Sequence, residues 1–155
     1  MLDHQQASGH FTLLALSRSL VARYWSDQSR LLPRLADVHP GSPTGGRWIG
    51  LQTVRTECVR GTASMGVSRG QDFRPLSGRE PADWQSRWSR LMSAVRDQAI
   101  LPPVQLVRAG GAYWVVDGHN RVALARQSGQ LWIDADITEL DLGSRSAAAD
   151  AAKEN

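Results

Sequence analysis

The stretch YWVVDGHNRVALARQSG, residues 113–129, narrows the possible fold more than any other part of the chain. A β-rich apolar run, Tyr113 to Val116, stops at Asp117 and Gly118. Val122, Leu124 and Ala125 then carry a short helix, and Gly129 is placed to cap it just past its end. Upstream, VQLVR and AYWVV flank Ala109, Gly110 and Gly111, the pattern of a β-hairpin around a glycine turn. Downstream, LWIDADITEL alternates. Ile133, Ala135 and Ile137 share one face and Asp134, Asp136 and Thr138 the other, as in a half-buried strand. Hairpin, helix and strand in close succession predict an α+β (mixed α/β) domain, with a mixed sheet flanked by helices.

The rest of the chain adds elements around that nucleus. PADWQSRWSRLMSAVRDQA predicts a helix, with Pro81 in its first turn and LPP halting it. Trp84, Trp88, Leu91 or Met92, and Val95 fall on one face, a spacing that assigns both tryptophans to the core rather than to base stacking. Arg87 and Arg90 lie off that stripe. Trp48, Ile49, Leu51, Val54 and Val59 suggest one or two short strands. Between them and the helix, GTASMGVSRGQDFRPLSG reads as a long polar loop, of the kind that more often serves function than filler. Before HPGSPTGG, a linker by its Pro and Gly content, residues 11–25 predict a helix with Leu13, Leu16 or Leu20, and Tyr24 on one stripe. Residues 1–40 are therefore read as an N-terminal helical element, 47–142 as the main domain, and 143–155 as a disordered tail.

Composition removes several function classes. Cys58 is the only cysteine among 155 residues, so an intramolecular disulfide and zinc held by thiolates are both excluded. The four histidines have no metal-ligand spacing. No apolar run approaches membrane-spanning length and no signal segment is evident, so a cytoplasmic protein with no membrane partner is expected. The formal charge is +3, and Lys153 is the only lysine beside seventeen arginines. Arginine suits bidentate phosphate and carboxylate contacts. The arginines are scattered, unlike a nucleic-acid-binding tail.

The joint itself carries the chemistry. A helix starting near Asn120 leaves its first N–H groups without intrahelical partners, and its dipole favours an anion there. Gly118 permits a sharp turn and a close ligand. Arg121 adds a cation where the helix end is already positive, which makes sense if an anion binds or a carboxylate satisfies it. Together these outline a phosphate cradle. Asp117 either holds Mg²⁺ against phosphates or accepts a proton from an attacking hydroxyl. His119 is read as an acid or base near neutral pH, or as a donor to phosphate oxygen. The alternative is structural, with Asp117 capping the helix and pairing with Arg121. Asp134 and Asp136 share a strand face and read as solvated charges rather than a metal site. Arg69, Asp72 and Arg74 form either a second wall of the pocket or a mobile loop with Arg69 paired to Asp72.

DGHNRVALA, with the hairpin before it and the strand after it, resembles the signature of the ParB/sulfiredoxin-like superfamily over residues 48–140. GTASMGVSRGQDFRPL is similar to the loop before the first helix in bacterial ParB-like domains. The resemblance implies a nucleotide-binding domain whose G-x-x-R turn, here Gly118, His119, Asn120 and Arg121, holds phosphates, with Thr62 in the facing loop. Sulfiredoxins carry a catalytic cysteine where this chain has His119, so their chemistry is not expected. Partitioning ParB proteins carry an arginine where Asn120 stands and continue into a DNA-reading domain, so sequence-specific DNA binding is not expected. The Asp-Gly-His-His-Arg turn of free-serine kinases with this fold is the nearest wording, with Asn120 replacing the second histidine. The expectation is therefore binding of CTP, ATP or ADP with Mg²⁺, with Asp117 and His119 in hydrolysis or phosphoryl transfer. The competing class is a DNA-associated or nuclease-like module. The Leu stripe from Leu13 to Val21 reads first as packing on its own domain, with a homo-oligomer contact as the alternative.

Overall fold

The computed structural model describes residues 31–143. The helix expected at residues 11–25, the oligomer contact assigned to it, and the tail from 144 lie outside the described residues. A one-turn helix, α1 (Leu35–Val38), precedes a long strand, β1 (Gly45–Arg55). A 3-10 turn at Thr56–Cys58 leads into β2 (Val59–Thr62). After the loop come α2 (Trp84–Arg96), β3 (Val104–Ala109) and β4 (Ala112–Asp117). The described chain closes with α3 (His119–Gln127) and β5 (Trp132–Asp141). The strands form one mixed sheet in the order β1-β5-β3-β4-β2. The pairs β1/β5 and β3/β4 are antiparallel, while β3/β5 and β2/β4 are parallel.

The nucleus forms as its sequence pattern dictates. Gly110 and Gly111 both have positive φ, 58° and 75°, the two-residue turn whose twist matches a hairpin. Ile133, Ala135 and Ile137 are buried, with Leu106, Val115 and Val104 beside them on the same sheet face. Val122, Ala123 and Ala125 of α3 pack onto that face, with Val59, Leu32 and Phe73 closing the cluster. Each fully buried large side chain contributes about 1.5–3 kcal/mol, so this layer dominates stability. The opposite face carries a smaller cluster of Trp114, Val107 and Ala109 under Leu35 of α1. The Trp114 indole N–H donates to the Ala109 carbonyl at 3.1 Å, which lets a polar ring atom sit buried.

Three expectations change. The region expected to give one or two short strands does give two, but the first, β1, is an eleven-residue edge strand, and a 3-10 turn separates it from the short β2. The loop after β2 is not a mobile polar segment: Phe73 is fully buried within it, and Arg69 and Pro75 form a bridge across it. The helix α2 buries none of its residues fully, and only Trp88 packs against the main cluster. Its tryptophans meet arginines from the loop. The Arg74 guanidinium lies over the Trp88 ring at 4.7 Å and that of Arg69 over Trp84 at 5.8 Å. Cation–π contacts hold this face in addition to the packing of Trp88.

Candidate functional site at the amino end of α3

Strands β2 and β4 run parallel as neighbours, and both end on the same side of the sheet, at Thr62 and Asp117. Helix α3 begins directly after β4. Gly118 occupies the cap position with φ of 95°, a left-handed conformation that disfavours any side chain. A Cβ there would also stand 2.7 Å from the Val104 methyl carbon, so the turn presses against β3. The first helical bond runs from the Val122 N–H to the Gly118 carbonyl, leaving the N–H groups of His119, Asn120 and Arg121 with no partner inside the helix. No acidic side chain occupies the first turn.

The turn draws together residues that lie far apart in the sequence. His119 is 8% exposed, and its Nε2 lies 2.9 Å from the hydroxyl of the fully buried Thr62. That hydroxyl also accepts the Ser64 N–H at 3.0 Å and stands 3.3 Å from the Val115 carbonyl. The Ser64 hydroxyl donates to the Val116 carbonyl at 2.7 Å. Burial, and the Arg69 charge next, push the imidazole down from 6.5 to about 4, with Asp117 acting weakly the other way. At neutral pH His119 is therefore an uncharged hydrogen-bonding group. The expectation that it titrates near pH 7 is corrected, because desolvation of the charged ring outweighs the nearby carboxylate.

Arg121 and Arg69 divide the roles that the sequence assigned to one residue. The Arg121 guanidinium donates to the carbonyls of Pro102 and Pro103, the latter at 2.8 Å, and to the Asp117 carboxylate at 2.9 Å. It ties the turn to the segment before β3. Asp117 pairs as the structural alternative anticipated, although it makes no capping hydrogen bond to the helix. Its other carboxylate oxygen has no partner among the described residues, and the side chain is 69% exposed.

Arg69 reaches the turn from the loop after β2. It donates to the Asn120 side-chain oxygen at 2.9 Å and to the Phe73 carbonyl at 2.6 Å. No carboxylate lies within ion-pair distance of it among the described residues. Burial lowers its pKa from 12.5 to about 10, with Asp72 raising it and Arg87 lowering it. The Arg69–Asp72 ion pair, one of the two alternatives for this loop, is not formed; Asp72 accepts the Arg74 backbone N–H at 3.0 Å. One signal in the sequence could have found Arg69. Phe73 is a large apolar residue inside an otherwise polar loop, and its burial anchors the loop against α3.

Asp134 and Asp136 lie away from this site, on the opposite face of the sheet, where they accept from the Thr53 hydroxyl at 2.8 Å and the Trp48 indole at 2.5 Å. Among the described residues no group of three or more His, Cys, Asp or Glu could hold a metal ion by itself. Cys58 sits in the 3-10 turn before β2, whereas His119 follows the far end of the neighbouring parallel strand. A groove of about 910 Å³ also lies at the other end of the molecule and shares none of the residues of the α3 turn. No helix among the described residues is long and apolar enough to cross a membrane.

No family model matches the chain. No curated protein matches it. Among solved structures, a sulfiredoxin from Arabidopsis thaliana is similar to it, with 21% sequence identity and a TM-score of 0.38. The alignment covers 56% of this chain and 82% of that one. A likeness of that degree assigns neither an activity nor a substrate to this chain.

Proposed function

We propose that this chain is a nucleoside-phosphate-binding domain of the ParB/sulfiredoxin-like kind, with the phosphates resting against the first turn of α3. The observation that carries the reading is Arg69. A partly buried guanidinium with no carboxylate pair among the described residues stands 2.9 Å from Asn120, beside a helix end that is itself positive and has no acid in its first turn. Two sources of positive potential placed together disfavour the empty site, and an anion between them relieves both. The location agrees with the habit of parallel strands, which bind ligands beyond their carboxyl ends. The resemblance of Asp117, Gly118, His119 and Arg121 to a phosphate-holding turn points the same way.

On this reading the N–H groups of His119 and Asn120 and the Arg69 fork take phosphate oxygens, and Gly118 lets them approach. Arg121 is a positioning residue that fixes the turn on Pro102 and Pro103. Thr62 holds the neutral His119 ring in place. Asp117 offers one uncommitted carboxylate oxygen, which suits Mg²⁺, an ion commonly bound by one or two carboxylates together with substrate phosphates. The ion would supply charge neutralisation on the phosphates. Where transfer or hydrolysis follows without the ion on Asp117, that same free oxygen would instead accept the proton of the attacking hydroxyl or water.

Thermal melts with ATP, ADP and CTP, each with Mg²⁺, test this. A nucleotide at a hundred times its Kd stabilises the folded state by about 2.7 kcal/mol. Arg69→Ala should abolish that gain. Arg121→Ala should lower the melting temperature of the unliganded protein, because it removes the tie to Pro103. If no nucleotide stabilises the wild type, the reading is wrong.

A further inference from the structure

Helix α2 starts beside the loop that carries Arg69, and its two tryptophans are placed differently. Trp88 packs against the main core cluster, whereas Trp84 is half-buried and takes no part in it. The spacing along α2 assigns both rings to the core, but the structure keeps Trp84 out of it. Among the described residues the Trp84 ring meets Trp88, with ring centres 5.0 Å apart, and the guanidiniums of Arg69 and Arg74 at 5.8 and 6.0 Å.

Arg69 thus has two neighbours of different kinds. It donates to Asn120 in the first turn of α3 at 2.9 Å, and it lies over the indole of Trp84. Its bond to the Phe73 carbonyl at 2.6 Å, with Phe73 fully buried, fixes this position before any ligand arrives. A nucleoside phosphate is built on the same plan, with phosphates at one end, a flat aromatic base at the other and a single ribose between them. A ligand whose phosphates reach the Arg69 fork therefore has its base within reach of the Trp84 ring.

We infer that Trp84 is the platform on which the base of the bound nucleotide stacks, so that the site selects a nucleoside phosphate over a phosphate chain with no base. The inference rests on the phosphate site proposed at the α3 turn, and adds the part of the ligand that the turn does not read. Stacking on an aromatic side chain strengthens binding about tenfold or more per base, and tolerates any base because each has a π face. Trp84 sets the requirement for a base without choosing which one.

Calorimetric titration of the full chain with ATP, CTP and inorganic tripolyphosphate, each with Mg²⁺, tests this. The wild type should bind at least one nucleotide about tenfold or more tighter than tripolyphosphate. Trp84→Ala should remove that margin and leave tripolyphosphate binding unchanged. Trp84→Phe, which keeps an aromatic face, should retain most of it. A second measurement does not depend on a variant folding. In the wild type labelled with nitrogen-15, the nucleotide should shift the Trp84 indole N–H signal, and tripolyphosphate should leave it in place. The stacking inference is overturned, and the phosphate site stands, if tripolyphosphate binds as tightly as both nucleotides, if Trp84→Ala weakens all three probes alike, or if a bound nucleotide leaves the indole signal unmoved. If none of the three binds the wild type, the phosphate site itself fails and the stacking inference falls with it.

Discussion

The amino end of α3 and the outer face of β1 and β5 invert the usual rule of burial in opposite ways. At the helix end, Thr62 and His119 are buried polar side chains held by each other. On the outer face, large apolar side chains are open. Trp48 and Leu51 are each 69% exposed and Trp132 is 51% exposed. The register spreads them along one face, since Leu51 pairs with Asp136, Trp48 with Thr138 and Arg55 with Trp132. What each region loses is different. The buried polar groups must keep their partners or incur a desolvation penalty, so each is individually important. The exposed apolar groups give up only burial they never had, so each is individually dispensable to the folded monomer.

The largest test of this contrast is acid. The His119 pKa is about 4 in the folded protein against 6.5 for the free side chain. As pH falls, the unfolded chain takes up this proton first. The stability from the neutral buried ring is thus fully present above pH 6.5 and is lost as pH approaches 4. The loss should amount to roughly 3 kcal/mol, read from urea melts across that window. His119→Gln should lack this component, and an equal pH dependence in the variant would refute the burial argument.

Thr62→Val comes next. It keeps the shape of the side chain but leaves His119 Nε2 and the Ser64 N–H without their shared partner, for a loss of about 2 kcal/mol by chemical denaturation. Combined with His119→Leu, the two changes should cost clearly less than their sum, because both delete one contact. Additive losses would mean that the hydrogen bond contributes little. Gly118→Ala should cost about 1–2 kcal/mol, since the new Cβ meets Val104 in a left-handed backbone. Nucleotide binding, where present, should fall with it.

The smallest effect belongs to the outer face. Trp48→Ser and Leu51→Thr should each change monomer stability by no more than about 0.5 kcal/mol. A larger loss that grows with protein concentration would show that another surface covers β1, and the contrast between the two regions would then fail on its apolar side.

Much of the domain was legible because its cues are local. The hairpin needed only two glycines between β-rich runs, β5 needed only alternation, and α3 needed only a glycine at each end. The candidate site was legible in half. The string Asp117 to Arg121 announced a strand–turn–helix joint with unpaired N–H groups, and the structure has that joint. The partners of those residues were not legible. Thr62 and His119 are 57 positions apart, and Arg69 and Asn120 are 51 apart. No period or spacing links them. For the same reason Arg121 looked like the ligand-facing cation: its ties to Pro102 and Pro103 depend on where the chain passes before β3.

The sequence by itself determined the alternating face of β5 and the hairpin and short helix beside it, because periodicity acts between neighbours along the chain; it did not determine that Phe73 joins the core or that α2 buries none of its residues fully. Only the tertiary structure decided which arginine is locked on backbone carbonyls, which has no carboxylate pair among the described residues, and whether the histidine carries charge. Those outcomes depend on distances and on exclusion of water, and both arise when remote segments pack together.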